Sequence, residues 1–214
     1  MIHYHVFAFN PFQENTYLIW NDKKEAWIVD PGCINGQEQG ILKSFVESEN
    51  LSIQNIVLTH SHIDHVLGLH FCQKTWDVPT LNHAEDLETF KAIPQYAPMY
   101  GMPYVEGKEP TPSLEHGMEL KLGEEVFDIR FVPGHAPGHV ALVHHAQRLI
   151  FAGDVLFRGS IGRTDLPGGD FDTLAKSIQT ELYSLDGNYT VFPGHGPETD
   201  LDFERSNNPF VKEI

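Results

Sequence analysis

The chain has 214 residues and a formal net charge of −16, from 14 basic and 30 acidic side chains. Such a surface repels nucleic acid and anionic lipid, so neither is expected as a partner, and no apolar run is long enough to span a membrane. Hydrophobic residues make up 41% of the chain and charged residues 21%, which is typical of a folded protein and excludes a disordered one. We expect a single domain over residues 1–214.

Short strands and one helix are predicted in the first part of the chain. Residues 3–9, 15–20 and 26–30 are rich in β-branched and aromatic side chains and are separated by turn signals, so they predict strands. Apolar residues at helical spacing predict a helix at 37–49. The continuous apolar run at 53–58 is typical of a strand that is buried on both faces.

The middle of the chain alternates between predicted helices and a predicted strand before it becomes irregular. It predicts a helix at 65–75, a strand at 78–81 and a second helix at 84–92. Residues 94–112 are rich in proline and tyrosine and show little periodicity, which predicts a long ordered loop. Its tyrosines and methionines are expected to cover a site, or to pack the loop or a dimer contact.

The second half returns to strands. They are predicted at 118–122, 126–132, 140–145, 149–151 and 190–192, with a helix at 171–185. Because strands precede a helix in each half of the chain, we expect two sheets packed together with helices outside, an α+β or α/β sandwich.

Two features of the composition bear on compartment and chemistry. Residues 1–10 lack the basic and apolar regions of a signal peptide, and Cys33 and Cys72 are the only cysteines, so a reducing cytoplasm is expected. The 13 histidines exceed what a core requires. They indicate metal or proton chemistry.

The strongest chemical signal is the sequence Thr-His-Ser-His-Ile-Asp-His at residues 59–65, directly after the buried strand. It places four candidate metal ligands within six residues: His60, His62, Asp64 and His65. In an extended segment His60 and His62 point to the same side, because side chains alternate. A turn into a helix can then present Asp64 and His65 to the same cavity from another angle. One loop can thus serve two adjacent metal positions, whereas a merely histidine-rich surface loop is the competing interpretation.

Three later strand ends supply further ligands. His135, Asp154 and His195 each follow a predicted strand, and each is preceded by glycine. Glycine there permits a tight turn and close approach of the backbone. One such segment alone is a weak signal. Three of them form a pattern that can complete the two coordination shells that residues 59–65 begin.

With the Asp-Pro-Gly turn at 30–32, these motifs resemble the metallo-β-lactamase superfamily of binuclear hydrolases over nearly the full chain. The resemblance implies a four-layer αββα sandwich, two mixed sheets flanked by helices, with the site at one edge. The ligand set that it implies is His60, His62 and His135 for one ion, Asp64, His65 and His195 for the other, and Asp154 as the bridge between them.

The expected chemistry follows from these ligands. Neutral imidazoles leave the charge of an ion largely intact, so a bound water is acidified, and a second ion lowers its pKa further. We expect a metal-bridging hydroxide to attack a carbonyl or phosphorus centre, with Asp64 and Asp154 moderating the repulsion between the ions. Two divalent ions per chain are expected. Zinc is the first expectation, and iron or manganese also suits nitrogen and oxygen ligands.

Asp154 narrows the reaction class within the resemblance. Members that hydrolyse β-lactams usually have Cys or Ser at this position, whereas Asp is similar to glyoxalase II, the hydroxyacylglutathione hydrolases, and to related thioester, lactone and phosphodiester hydrolases. Residues 153–157 and 162–165 are similar to glyoxalase II and to the persulfide dioxygenases, and residues 204–210 are similar to short glyoxalase II-like proteins. The resemblance implies hydrolysis of a small-molecule thioester such as S-lactoylglutathione by a monomer or homodimer. The resemblance supports thioester hydrolysis more strongly than glutathione specificity, because the helical extension with which full-length glyoxalase II helps to bind glutathione is not matched.

Three other residues have two interpretations each. Arg163 is at a position where related enzymes place a basic residue against the glutathione carboxylate, and a salt bridge to Asp165 or Asp170 is the alternative. Asp30 is expected to hydrogen-bond a ligand histidine or to cap its turn. His139 is expected to support a ligand or to be a structural histidine.

Two alternative functions remain open at this point. The first is a mononuclear iron persulfide dioxygenase on nearly the same scaffold. Hydrolysis of another ester, lactone or phosphodiester is a variant of the main expectation. The second is a non-catalytic metal-binding domain, which is weaker because all seven ligand positions are filled.

Overall fold

Strands that place apolar side chains on both faces form the two central layers of the protein. In the strand Glu25–Val29, for example, Ala26 and Ile28 contact one apolar cluster and Trp27 and Val29 contact another. Alternation of side chains along the strand is the reason. The computed structural model describes residues 1–212.

The first sheet contains the strands of the first half of the chain. In spatial order they are β1 (Ile2–Phe9), β2 (Glu14–Asn21), β3 (Glu25–Val29), β4 (Ser52–Val57), β5 (Thr80–His83) and β6 (Thr111–Leu114). β1, β2 and β3 pair in antiparallel fashion, and β3 to β6 pair in parallel.

The second sheet and a small hairpin come from the second half. The strands are β7 (Glu119–Leu122), β8 (Glu125–Phe131), β9 (Val140–His144), β10 (Leu149–Gly153), the separate hairpin β11 (Leu156–Phe157) and β12 (Ser160–Ile161), then β13 (Thr190–Pro193) and β14 (Thr199–Asp200). The sheet has the order β14-β13-β10-β9-β8-β7 and is also mixed.

Within residues 1–212, six α-helices flank the sheets. They are α1 (Gly36–Ser48), α2 (Ile63–Val66), α3 (Leu69–Trp76), α4 (Leu87–Tyr96), α5 (Phe171–Ser177) and α6 (Leu201–Asn207), and α5 continues as a π-helical turn, Ile178–Tyr183. No helix in residues 1–212 combines the length and the apolar character needed to cross a membrane.

Three apolar clusters fill the three interfaces of the sandwich. The outer side of the first sheet packs on α1, α3 and α4, for instance through Ile28 and Leu42. Trp27 and Phe127 pack between the sheets, with their ring centroids 5.0 Å apart. The second sheet packs on α5 and its continuation, for example through Leu174. Four layers with three interfaces confirm the predicted αββα sandwich of two mixed sheets.

The helix predicted at 65–75 is divided, because the chain forms two helices there. The first, α2, begins at Ile63, and α3 begins at Leu69. The two helices are separated at Leu67 and Gly68, and Gly68 lies against Cys33, where a β-carbon would overlap the thiol. The Gly68 N–H instead donates to the carbonyl of Pro31 at 2.8 Å.

The predicted loop at 94–112 is shorter than expected. α4 continues through Pro94 to Tyr96, residues 97–100 form a 3-10 turn, and β6 occupies Thr111–Leu114. Pro94 lacks an N–H and so costs one helical hydrogen bond, but its fixed φ is compatible with the helix. The strands β11, β12 and β14 and the helix α6 were not predicted, because each is too short to show a periodic pattern.

The carboxyl ends of β8, β10 and β13 meet at one edge of the second sheet. β10 pairs in parallel with β13, and β9 is antiparallel to both β8 and β10, so β8, β10 and β13 run in the same direction. His135, Asp154 and His195 follow these three strands. The topology therefore brings together segments that are far apart in the chain.

Helix α6 supports the hairpin β11–β12. The buried carboxylate of Glu204 accepts hydrogen bonds from the Gly159 N–H at 3.0 Å, the Thr199 hydroxyl at 2.6 Å and the Asn208 amide at 2.8 Å. A buried carboxylate with three donors stabilises the fold only while all of them remain paired. The C-terminal segment thus fixes the hairpin on the second sheet.

We expect Glu204→Ala to lower the free energy of unfolding by about 1–3 kcal/mol, because it leaves buried donors without an acceptor. Urea denaturation of the variant and the wild type measures this. Glu198→Ala, which removes an exposed carboxylate from the same segment, is the control and should change little. Equal stabilities of the two variants would show that the Glu204 contacts contribute nothing.

Candidate metal centre

Three histidines from two loops form a first group of candidate ligands. His60 and His62 follow β4, and His135 follows β8. His135 Nε2 lies 2.8 Å from His62 Nδ1 and 3.2 Å from His60 Nε2. Ligand nitrogens at roughly 2.0–2.1 Å from a tetrahedral ion lie about 3.3 Å apart. The three ring nitrogens are therefore spaced as ligands of one ion would be.

Asp64, His65 and His195 form a second group, and their ligand atoms lie within 4.8 Å of one another. His195 Nε2 is 3.1 Å from Asp64 Oδ2, and His65 Nε2 is 3.7 Å from the same oxygen. An oxygen and two nitrogens form a donor set that zinc, iron and manganese accept.

The carboxylate of Asp154 lies between the two groups. Its Oδ2 is 3.5 Å from His135 Nε2 of the first group and 3.5 Å from His195 Nε2 of the second. Its Oδ1 is 3.4 Å from His65 Nε2. All seven residues that the sequence predicted as ligands thus meet in one place, and the Asp154 carboxylate lies between the two groups.

The local conformation of residues 60–65 divides one loop between the two groups. His62 is extended, with φ −68° and ψ 151°, and α2 begins at the next residue. His60 and His62 therefore turn to the first group, whereas Asp64 and His65, in the first turn of the helix, reach the second. This is the change of direction that the sequence predicted, although the helix begins two residues earlier.

Two glycines allow the backbone to approach this closely. Gly153 has φ +50°, a conformation that disfavours side chains, and it precedes Asp154. A β-carbon on Gly194 would overlap Asp154 Oδ1 and lie 2.8 Å from His65 Cε1. A larger residue at Gly194 would therefore displace both ligands.

Asp30 contacts His65, which was one of its two predicted roles. Its Oδ1 accepts the Thr59 N–H at 2.7 Å, and its Oδ2 accepts the Thr59 hydroxyl at 2.6 Å and His65 Nδ1 at 3.1 Å. With Nδ1 engaged, Nε2 of His65 is directed towards Asp154. Such partners fix the ring and its tautomer in metal sites.

The remaining imidazoles are also held from behind. His139 Nε2 accepts the N–H of Asp154 at 3.0 Å, and its ring stacks on His60 with the centroids 4.6 Å apart. His139 therefore supports the site, which was one of its two predicted roles. His135 Nδ1 donates to the Arg163 carbonyl at 2.8 Å, and His195 Nδ1 donates to the Phe12 carbonyl at 3.1 Å.

Burial keeps the first group neutral. It lowers the pKa of His60 well below its ordinary value and that of His62 to about 3, and it also lowers the pKa of His135. Neutral imidazole is the form that binds a metal ion. The first group is therefore ready to act as a ligand set without losing protons.

The second group favours positive charge. Burial lowers the pKa of His195, but hydrogen bonds to Asp154 and Asp64 outweigh it and raise the pKa to about 10. Burial likewise opposes a charge on His65, but the carboxylates of Asp154 and Asp64 raise its pKa well above the ordinary value. For Asp154, burial raises the pKa, yet His65 and His195 hold it well below its usual range. The two carboxylates thus create a field that stabilises cations.

Two buried atoms at the centre fit a metal ion. His65 Nε2 and Asp154 Oδ1 have no hydrogen-bond partner among residues 1–212, and both face the space between the groups. Buried polar atoms nearly always have a hydrogen-bond partner. A nitrogen and an oxygen that lack one, and that face the same space, are suited to bind a cation. The residues present therefore fit the two ions that the motifs predict.

A cavity of about 830 Å³ opens onto both groups. Its walls are largely apolar and include side chains that sequence reasoning missed: Phe12, Phe157, Ile161 and Leu166. Tyr96 and Tyr100 from the end of α4 and the following turn also line it, so this part of the predicted loop covers the site. Tyr104 instead packs against the first apolar cluster.

Arg163 has features of both of its predicted roles. Its guanidinium pairs with Asp165 through Nε–Oδ1 and Nη2–Oδ2 contacts of 2.7 and 2.8 Å, and its side chain is 60% exposed. It also borders the cavity. The salt bridge is therefore present, and the contact with substrate stays a prediction.

Sequence reasoning did not find the segment that holds the site from the N-terminal side. Residues 10–16, the turn after β1 together with the first three residues of β2, contact the segments that carry Asp64 and His195. The signal available in the sequence was a set of polar residues before an apolar stretch of strand: Asn10, Glu14, Asn15 and Thr16. Such a set also fits an ordinary turn.

Comparison with known proteins agrees with this geometry. The sequence profile described as the Metallo-beta-lactamase superfamily matches residues 9–195. The chain belongs to the metallo-β-lactamase superfamily. This superfamily member is 37% identical to the hydroxyacylglutathione hydrolase GloC of Haemophilus influenzae, across 94% of this chain and 93% of that protein. It is 35% identical to the probable metallo-hydrolase YqgX of Bacillus subtilis, with the same coverage.

Two solved structures of the superfamily are similar over nearly their whole length. One is TTHA1623 in a di-iron-bound form, with a TM-score of 0.86, 36% identity, and coverage of 97% of this chain and 100% of that one. The other is the BLEG-1 B3 metallo-beta-lactamase, with a TM-score of 0.89, 33% identity, and coverage of 98% and 99%. This superfamily member is accordingly a metallo-hydrolase with histidine and aspartate groups that can bind metal ions.

Asp154→Ala removes the carboxylate between the groups, so we expect both metal retention and turnover to fall by at least about tenfold. Metal content after dialysis against a chelator, together with steady-state rates, measures both. Asp186→Ala, an exposed carboxylate elsewhere, is the control and should retain its metal. Unchanged turnover in the Asp154 variant would show that the bridge is wrongly assigned.

Proposed function

We propose that this protein is a binuclear metal-dependent hydrolase that cleaves thioesters such as S-lactoylglutathione. The observation that carries the proposal is the position of Asp154, which lies within 3.5 Å of imidazole nitrogens from both ligand groups. A single ion would need only one of the groups. The similarity to the hydroxyacylglutathione hydrolase GloC supports the thioester as the substrate.

His60, His62 and His135 would hold one ion, and Asp64, His65 and His195 the other, with Asp154 between them. The pair of ions would supply a Lewis acid for the substrate carbonyl and an acidified water. Zinc is our first proposal for both positions. Iron is supported by the di-iron form of TTHA1623, and manganese accepts the same ligands.

The side chains of the protein then position the substrate and move the protons. Hydrolysis adds water to the acyl carbon and breaks the carbon–sulfur bond, so a proton must pass from the water to the leaving thiolate. We assign this transfer to the carboxylate of Asp64, which borders the cavity, while Asp154 keeps its position between the two groups. The apolar walls, including Tyr100 and Phe157, exclude bulk water from the reacting carbonyl.

The border of the cavity supports a proposal about the thiol carrier of the substrate. Arg163 is a cation at its border, and a guanidinium can bind a carboxylate through two parallel hydrogen bonds. Because the chain is strongly acidic, an anionic substrate needs such a local cation. We therefore propose that Arg163 binds the carboxylate of the thiol carrier. We also propose that the enzyme is cytoplasmic and that it is a monomer or a homodimer.

The alternative is a mononuclear iron persulfide dioxygenase, and hydrolysis of another ester, lactone or phosphodiester is a closer variant of the main proposal. The dioxygenase requires one ion and consumes oxygen, whereas the hydrolase requires neither oxygen nor a redox metal. Metal count and oxygen uptake therefore separate them.

We expect protein purified without added metal, and then loaded, to hold two ions per chain. It should hydrolyse S-lactoylglutathione, hydrolyse cephalosporins poorly and consume no oxygen with a glutathione persulfide. Elemental analysis, thioester absorbance and an oxygen electrode measure these properties on one sample. One ion per chain with oxygen uptake would favour the dioxygenase, and efficient cephalosporin hydrolysis without thioesterase activity would reverse the substrate assignment.

Arg163→Ala should raise KM more than it lowers kcat for a thioester that carries a carboxylate, because the contact lies away from the reacting carbonyl. A neutral thioester with the same acyl group is the matched control and should be affected far less. Asp165→Ala should lower KM for the anionic substrate, since it releases the guanidinium from its salt bridge. Equal losses on both thioesters would assign Arg163 a structural role only.

A further inference from the structure

The segment of residues 10–16, which comprises the turn after β1 and the first three residues of β2, carries none of the seven predicted ligands. Its side chains nevertheless make hydrogen bonds to segments that are distant in the chain and close to the metal centre. Several of these side chains are buried and polar, which is costly unless each has a specific partner. The partners show what the segment does.

Asn15 holds the loop that carries His195. Its N–H donates to the Gly194 carbonyl at 2.7 Å, and its side-chain amide donates to the carbonyls of Pro193 at 3.0 Å and Gly196 at 2.8 Å. The backbone on both sides of His195 is therefore bound to one buried asparagine. The Phe12 carbonyl accepts His195 Nδ1 and so directs Nε2 towards Asp64 and Asp154.

Asn10 and Thr16 hold the rest of the second group. The Asn10 amide donates to the Asp64 carbonyl at 3.0 Å and to the Gly32 carbonyl at 3.1 Å. The Thr16 hydroxyl lies 2.8 Å from the Asp30 carbonyl, and Asp30 in turn binds His65. Each of the three residues of the second group is thus held by this segment, directly or through one neighbour.

The first group is held by other parts of the chain. His135 Nδ1 donates to the Arg163 carbonyl, and His60 Nδ1 lies 3.1 Å from the Thr59 hydroxyl. Within the described part of the chain, no hydrogen bond joins residues 10–16 to the three histidines of this group. Asn15, Asn10 and Phe12 therefore contact only the second group, whereas Asp30 supports both groups through Thr59 and His65.

We infer that Asn15 is a positioning residue for the second metal ion, and that its loss weakens the binding of that ion while sparing the first. The inference depends on the two-ion site of the proposed function. Outer partners that orient ligands in metal sites contribute about 10–100-fold to metal affinity. Without the Asn15 amide, the loop 193–196 loses two hydrogen bonds, and His195 is no longer held at the distance that the second group requires.

The test measures each ion site separately by Co²⁺ titration. His62→Ala disables the first group, so the remaining ion reports on the second, whereas His195→Ala disables the second group and leaves the first as reporter. Asn15→Ala is introduced into both backgrounds. Cobalt absorbance, with a competing chelator, gives the affinity of the remaining site independently of turnover.

We expect Asn15→Ala to weaken Co²⁺ binding by about 10–100-fold in the His62→Ala background and to leave it unchanged in the His195→Ala background. In the otherwise wild-type protein, Asn15→Ala should lower turnover at limiting metal concentration, and added metal should restore it. The matched control is Asn208→Ala, because Asn208 is also a buried asparagine whose amide donates two hydrogen bonds, to the Ser160 carbonyl and the Glu204 carboxylate. It should leave both affinities unchanged.

Equal weakening of Co²⁺ binding in both backgrounds would overturn the inference, because Asn15 would then be a general support of the fold. No weakening in either background would also overturn it, because Asn15 would then have no role in metal binding. Wild-type protein that binds a single ion would instead contradict the proposed function, whatever Asn15→Ala does. If Asn15→Ala does not fold, Asn10→Gly tests the same inference from the other side of the turn. It keeps the left-handed backbone, φ 52° at Asn10, and removes the amide that holds Asp64.

Discussion

The carboxylate of Asp30 is the interaction on which both halves of the metal centre depend. It accepts two hydrogen bonds from Thr59, which precedes His60, and a third from His65. The end of β3 is thereby joined to the end of β4, and one buried anion fixes ligands of both groups. Asp30 has φ 51°, which is costly for a residue with a side chain, so this strained conformation is maintained by the contacts that it makes possible.

The sandwich provides the rigid background for this arrangement. Three apolar clusters fix the strands from both faces, so the loops at their carboxyl ends start from fixed positions. Burial that would be unfavourable for isolated histidines and carboxylates is offset where they face one another across the two ligand groups. Unpaired buried atoms at the centre, such as His65 Nε2, are tolerated because the site is suited to a cation.

Charge acts on two scales in this protein. The net charge of −16 favours the approach of divalent cations and opposes anionic substrates. Surface charges are screened over about 8 Å at physiological ionic strength, so the field inside the cavity is set by its own side chains. There Asp64 and Asp154 favour cations, and Arg163 at the border is the group suited to a carboxylate. This division agrees with a site that binds metal ions deeply and an anionic substrate at its mouth.

The sequence by itself predicted the fold class and the seven residues that meet at the candidate metal centre. Side-chain periodicity and strand–loop order are local properties, and so is the spacing of residues 60–65, which divides one loop between two groups. Only the tertiary structure decided which supports hold each group. Asn15 and Gly196 are 181 residues apart in the chain, and Glu204 contacts Gly159 across 45. Such contacts depend on the path of the whole chain, and polar residues in a turn look the same in sequence whether they bind water or a distant carbonyl.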